Sequence, residues 1–358
     1  MKTFVNKTSR LVTGGICVAL TAMVFTACHK NKDAVNEQSF DQVNLVASNN
    51  TYTGARVDPN FVNGWGIAFS PTGNAWISAE GTGTSVIYDK TGAQVLAAVT
   101  IPTTGATTGG SPTGQVFNST TEFIVPGSTA AKFFFAGTDG VISAWVSGGA
   151  AVKVIDRSVT SAYTGIALAS DGGNNFLYAA NFKTGKIDVF DKTFTLVSKP
   201  FTDPNLPTGY SPFNIQNVGG QLYVMYAKVD EASGEETKGA GLGYVDIYNP
   251  NGSFVKRFAS QGALNAPWGV AMAPAGFIKG TGSVILIGNF GDGHINAFDA
   301  SGNSLGSIRM DGVPVEIEGL WGISFAPSTA TGIDPNWLFF AAGPNDENDG
   351  LFGYIKPE

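Results

Sequence analysis

Six segments of this chain open alike: Trp65-Gly66-Ile67-Ala68-Phe69, Thr113-Gly114-Gln115-Val116-Phe117, Thr164-Gly165-Ile166-Ala167-Leu168, Phe213-Asn214-Ile215-Gln216-Asn217, Trp268-Gly269-Val270-Ala271-Met272 and Trp321-Gly322-Ile323-Ser324-Phe325. Their second residues stand at 66, 114, 165, 214, 269 and 322, so the period runs 48, 51, 49, 55 and 53 residues. A period of that length leaves room for one supersecondary unit that cannot bury its apolar face alone and must stack on its neighbours. Glycine accounts for 47 of 358 residues. Val, Ile, Phe and Tyr recur in short runs between turn residues, so the unit is built of strands.

Each unit continues with a second strand (AWISA, KFFFAG, FLYAAN, QLYVMYA, VILIGN, WLFFAAG) and, after a polar loop, a third (SVIYD, VISAWV, KIDVFD, YVDIYN, HINAFD, LFGYI). An outer strand follows in five of them (VLAAVTI, VKVID, LVSKPF, FVKRFA, LGSIRM). Four strands per unit make a propeller blade. The sixth unit stops after three strands, at Glu358, and its missing strand is expected from Val43–Ser48, just ahead of the first blade. The expected fold is therefore all-β: a six-bladed β-propeller closed by an N-terminal strand, spanning residues 42–358. Its blades lie near 61–102, 110–158, 162–203, 210–260, 265–317 and 319–358 plus 43–48.

Ahead of the repeats, Lys2, Lys7 and Arg10 precede an apolar run from Leu11 to Ala27. That is the pattern of a secretory signal rather than a membrane span. Its ending, VFTAC, resembles the bacterial lipobox, with Phe25 where leucine is usual, and makes Cys28 the expected lipidation site. Residues 1–27 then read as a lipoprotein signal peptide and 28–41 as a polar tether. With Cys17 removed and Cys28 lipidated, the remaining domain has no thiol and no disulfide. Loss of the signal takes the formal net charge from −7 to −10. An acidic chain without a basic stripe is unsuited to nucleic acid or to anionic lipid, so the expected membrane contact is the anchor alone. The expected location is the bacterial cell envelope, on the periplasmic or cell-surface side.

Phrases such as DPNFVNGWGIAFSPTGNAWISAEGTGTS, LNAPWGVAMAPAGF and GNFGDGHINAFD resemble an uncharacterised bacterial family of secreted NHL-like six-bladed propellers. The resemblance covers nearly all of residues 42–358 and implies the fold without a mechanism. More distantly, the repeat is similar to NHL-repeat, streptogramin lyase and gluconolactonase-type propellers. The last of these place a metal at the channel mouth, so the resemblance implies a location and no particular ligands.

In such a ring, inner strands begin and second strands end on one face around the channel. Asn63, Ser111, Thr164, Asn214, Asn265 and Glu318 stand at the inner-strand entries, and Glu80, Asp139, Asn181, Lys228, Asn289 and Asp346 near the second-strand ends. Side-chain oxygens dominate, which suits Ca2+ or another divalent cation, or a small polar ligand. Glu80, Asn181, Asn214, Asn289, Asn63 and Asp346 are the leading ligand or metal candidates; the competing role is capping of strand ends. No motif specifies a cofactor. Two loops should overhang the same face: Lys228–Gly243, the longest insertion, and Gly343–Gly350 (GPNDENDG).

Nucleophilic hydrolysis is poorly served. His294 is the one histidine after the tether and Cys28 the last cysteine, and no HExxH, CxxC or GxxxxGK motif occurs. The glycines of LIGNFGDGHINAFD fall where blade three has LYAANFKTGKIDVFD, and they serve chain reversal. The expected function is a lipid-anchored extracytoplasmic module that binds a ligand or a protein. The alternative is a divalent-metal-dependent, lactonase-like or lyase-like enzyme working at the channel mouth.

Overall fold

The computed structural model describes residue 35 and residues 37–358. The signal segment, Cys28 and most of the tether lie outside the described residues. Six small sheets form a ring, in which each inner strand packs on the next and the sixth on the first. Blade 1 comprises Gly64–Phe69, Ala75–Ala79, Thr84–Tyr88 and Gln94–Thr100. Blade 2 comprises Pro112–Phe117, Phe133–Gly137, Val141–Trp145 and Val152–Asp156. Blade 3 comprises Tyr163–Asp171, Asn174–Asn181, Lys186–Phe190 and Leu196–Val197. Blade 4 comprises Tyr210–Val218, Gln221–Val229, Gly243–Tyr248 and Phe254–Ser260. Blade 5 comprises Pro267–Met272, Val284–Asn289, Ile295–Asp299 and Ser304–Ser307.

Blade 6 takes Leu320–Phe325, Leu338–Ala342 and Leu351–Pro357 from the end of the chain and Phe40–Ala47 from its beginning. The last two pair antiparallel from Phe40↔Pro357 to Ala47↔Leu351, with one register shift. This is the closure the repeat count requires, and it leaves the sixth sheet no unpaired inner ladder. Asp349, in the loop before that ladder, accepts hydrogen bonds from Asn49 Nδ2 (2.6 Å) and the Tyr52 hydroxyl (2.9 Å), which pins the far end of the closing strand.

The recurrent inner-strand glycine has a steric cause. A Cβ on Gly66 would fall 2.8 Å from Thr113 O, one on Gly114 2.7 Å from Ile166 N, and one on Gly269 2.8 Å from Trp321 O. Neighbouring inner strands thus approach backbone to backbone around the channel. In the fourth repeat Asn214 replaces the glycine, and its amide donates to Trp268 O at 2.8 Å in blade 5.

In four repeats the residue before this position is aromatic and faces the channel. Trp65, Phe213, Trp268 and Trp321 join Phe182 and Phe290 in one buried aromatic cluster. Trp65 stacks on Trp321 at 3.4 Å between centroids, and Phe290 on the same indole at 3.8 Å. Trp268 reaches across to donate its indole N–H to Thr164 O at 3.0 Å. The channel is therefore plugged, and what lies above the plug is a blind mouth.

Candidate functional site

Repeats two and three carry Thr113 and Thr164 where three of the others carry tryptophan. On that side the plug is incomplete. A cavity of about 600 Å³ opens over it, lined by Trp65, Thr138, Thr164, Phe182, Phe213 and Trp321 below and by Glu80, Lys183, Glu235, Glu236 and Glu347 at its rim. Thr113 is satisfied, since its hydroxyl donates to Tyr163 O at 2.8 Å. Thr164 Oγ1 and Trp65 Nε1 are buried and without a hydrogen-bond partner. Each residue is 6% exposed. Buried polar groups are normally paired, so two orphans on residues that line one cavity stand out.

Asn63 organises the rim. Its amide nitrogen donates to Glu80 Oε2 (3.2 Å) and Glu347 Oε2 (2.7 Å), and its Oδ1 accepts from Trp321 Nε1 (3.1 Å). The backbone repeats the arrangement: Asn63 N–H donates to Asp349 O, and Glu80 N–H to Asn63 O. Asn63 holds φ at 51°, in the left-handed region that asparagine tolerates better than most residues. One side chain thus joins the first blade, the last blade and the aromatic plug.

Glu347 reaches the cavity from a loop in which Asn345, Asp346 and Glu347 all have positive φ, at 58°, 48° and 65°. Such a run costs backbone energy and is seen where surrounding structure fixes it. Here Asp349 and Asn348 fix it, the latter donating to Asn345 O at 2.9 Å. Burial pushes the Glu347 carboxyl up, against the lowering effect of the Asn63 amide and Lys238. From the opposite side, the blade 4 insertion adds a two-residue strand, Glu236–Thr237, to the end of the second strand. Burial raises the Glu236 carboxyl to about 7, with Glu347 adding to the shift and Lys238 opposing it. Lys238 extends its ammonium over the Phe290 ring, 4.2 Å from the centroid.

The structure thus brings Glu80 and Thr164 to one cavity, with Asn63 buried behind them and bonded to its rim carboxylates. Asn181 is buried and spent on Ser161 Oγ and Asp188 Oδ2, and Asn289 donates to Ala263 O and Asp292 Oδ1; both brace strand ends. Asn214 lines a second, smaller cavity of about 300 Å³ on the other side of the plug. Asn265 accepts from Gly239 N–H and anchors the blade 4 insertion. Asp346 is exposed beside the cavity, and its neighbour Glu347 is the residue that turns in. Glu318 caps the same loop by accepting from Asn345 N–H. His294 lies outside the lining, 3.8 Å from Asp292. Among the described residues no group of three His, Cys, Asp or Glu side chains is arranged to hold a metal ion.

Sequence reasoning placed both overhanging loops at the mouth but missed Glu236, Glu347 and the aromatic floor. The floor had a signal: the residue before the repeated glycine alternates out of the blade and into the channel, and tryptophan there is too large to be a turn residue.

The molecule is a six-bladed propeller with a plugged channel and one acidic, aromatic-floored mouth. No family model matches the chain. It belongs to a family with two proteins of Acanthamoeba polyphaga mimivirus: uncharacterized protein R648, 36% identical over 333 residues (88% of this chain, 80% of that protein), and uncharacterized protein L690, 34% identical over 332 residues (88% and 85%). These relatives are viral, where the phrases of the sequence had suggested a bacterial family. Among solved structures it is similar in fold to a streptogramin B lyase (TM-score 0.50, 14% identity, 89% of this chain and 97% of that one). It is likewise similar to a structural-genomics protein of unknown function from Bacteroides thetaiotaomicron (TM-score 0.55, 11% identity, 89% and 76%). At such identity the likeness concerns the fold alone.

Proposed function

We propose that the protein is a lipid-anchored, extracytoplasmic binding module that holds a small polar ligand in the mouth of its channel. The observation that carries the binding role is the cavity with its two orphaned groups, Thr164 Oγ1 and Trp65 Nε1. Its volume falls in the range of small-molecule sites, roughly 300–1,000 Å³. The anchor reading rests on the VFTAC sequence. It agrees with the path of the chain: Phe40 pairs with Pro357, on the side of blade 6 away from the mouth, and Gln38 Nε2 donates to Phe277 O on that same side. A lipid at Cys28 would then hold the far face toward the bilayer and leave the mouth open to solvent.

The metal-dependent enzyme has no comparable observation in its favour. The binding role is tested by incubating the full chain with a small-molecule extract and identifying co-purifying ligands by native mass spectrometry. Thr164→Trp introduces the tryptophan that three of the other repeats carry and fills the cavity. A ligand retained by the parent and lost in this variant is expected; equal retention, or none in either, overturns the reading. Incorporation of labelled palmitate, abolished by Cys28→Ala, tests the anchor separately.

A further inference from the structure

We infer that the ligand of the channel mouth is a small organic ammonium ion that also carries hydroxyl or carbonyl oxygens, the chemistry of an amino sugar. This rests on the mouth being a ligand site and names what the site selects.

The cavity is strongly acidic. Four carboxylates line the cavity, Glu80, Glu235, Glu236 and Glu347, against one lining ammonium, Lys183, and a second, Lys238, set over Phe290. Lys183 is drawn outward, donating to Val159 O at 3.4 Å. Among the described residues none of the four carboxylates has a cation within ion-pair distance. Glu347 has the Asn63 amide in its place, and Glu236 is half-buried without a side-chain donor. Their raised proton affinities have the same origin, namely carboxylates withdrawn from water with too little positive charge nearby.

The protein already places an ammonium beside this cavity. Lys238 lies over Phe290, whose ring stacks on Trp321 in the floor. An ammonium over an aromatic face, flanked by carboxylates, is a recurring way of recognising organic cations. A ligand ammonium placed nearer Glu236 and Glu347 would share that field and push Lys238 outward.

Trp65 Nε1 can only donate, so its missing partner is an acceptor, and Thr164 Oγ1 can donate or accept. A bare metal ion or a simple alkylamine supplies no acceptor for the indole. A polyhydroxylated ammonium supplies both an acceptor and a C–H face for Phe182 and Trp65.

The probes are glucosamine and its uncharged counterpart N-acetylglucosamine, titrated against the full chain and followed by tryptophan fluorescence and calorimetry. Glucosamine should bind saturably, at least about tenfold more tightly than N-acetylglucosamine, a difference of about 1.4 kcal/mol. Binding should fall by a similar factor in Glu236→Gln and Glu347→Gln, whose folding is checked by circular dichroism. It should tighten in Lys238→Met. Equal binding of the two sugars, abolished by Thr164→Trp, overturns the ammonium inference and leaves the site standing. Binding of neither, or binding unaffected by Thr164→Trp, overturns both.

Discussion

Asn63→Asp exchanges one amide for a carboxylate of the same shape, at a position where every neighbouring group is defined. The left-handed backbone at φ 51° is open to aspartate as well as asparagine, so the fold is not strained by the change. The bond from Trp321 Nε1 to Oδ1 is kept. The atom that donated to Glu80 and Glu347 over 3.2 and 2.7 Å becomes a third anionic oxygen facing both. Two unit charges about 4 Å apart repel by about 4 kcal/mol at an effective dielectric near 20. Two such pairs would approach the whole stability of a typical domain, of order 5–15 kcal/mol. The cluster escapes by binding a proton. Holding a proton at pH 8 on a carboxyl of ordinary pKa, about 4.3, costs about 5 kcal/mol, at about 1.4 kcal/mol per pH unit. The proton is bound in the folded state and not in the unfolded one, so stability is lost as pH rises above the unfolded carboxyl range. The variant should sit within about 1–2 kcal/mol of the parent at pH 5 and fall behind by about 1.4 kcal/mol per unit toward pH 8. Urea unfolding followed by tryptophan fluorescence at pH 5, 6, 7 and 8 measures this slope. A deficit independent of pH would refute the convergence of the two glutamates on Asn63.

Removing residues 40–47 strips the outer ladder from blade 6, takes the buried Phe40, Val46 and Ala47 out of the core and uncovers Phe352 and Ile355; a fall in melting temperature of more than about 10 °C in differential scanning calorimetry is expected. Gly269→Ala forces a methyl to within 2.8 Å of Trp321 O, where only backbone can yield, and should cost about 2–3 kcal/mol in urea titration, whereas Gly276→Ala, at φ 89° in open space, should cost no more than about 1–2. Arg257 contacts both Asp203 and Asp246 and lies 4.5 Å over the Tyr244 ring, with both carboxylates almost fully buried. Arg257→Ala strands two buried anions and should destabilise by about 3–5 kcal/mol, and the added double change Asp203→Asn/Asp246→Asn should recover part of that loss.

The fold was legible because a propeller writes its geometry into the sequence repeatedly. A glycine recurs about every fifty residues because each inner strand lies against the next with no space for a Cβ, as Gly66, Gly114 and Gly269 show. The same logic located the closing strand, since a blade one strand short must borrow from the other end of the chain. Hairpin chemistry was equally local: Gly185 and Gly293 take φ of 68° and 71° at corresponding turns, so the glycines of the blade 5 loop serve chain reversal.

The site was only half legible, and the missing half has a physical reason. Position in a repeat says which face a residue occupies, but not whether its hydrogen bonds are already spent. The repeat places Asn63 and Asn214 alike at inner-strand entries, and Asn181 and Asn289 alike at second-strand ends. Asn181 and Asn289 turn inward to brace strand ends, Asn214 substitutes for a glycine, and Asn63 alone is shared by two rim carboxylates. Glu347 turns into the cavity, and its neighbour Asp346 stays out, because of a run of left-handed residues fixed by contacts between the two chain ends, which no local pattern encodes. The departure from the repeat does trace back to the sequence. Tryptophan before the glycine plugs the channel in blades 1, 5 and 6, and threonine in blade 3 leaves it open beside them. In a ring of near-identical blades, a cavity arises where the repeat is broken. The residues that break it, Thr164 above all, are therefore the ones whose exchange for the repeat's own tryptophan separates a binding module from an inert scaffold.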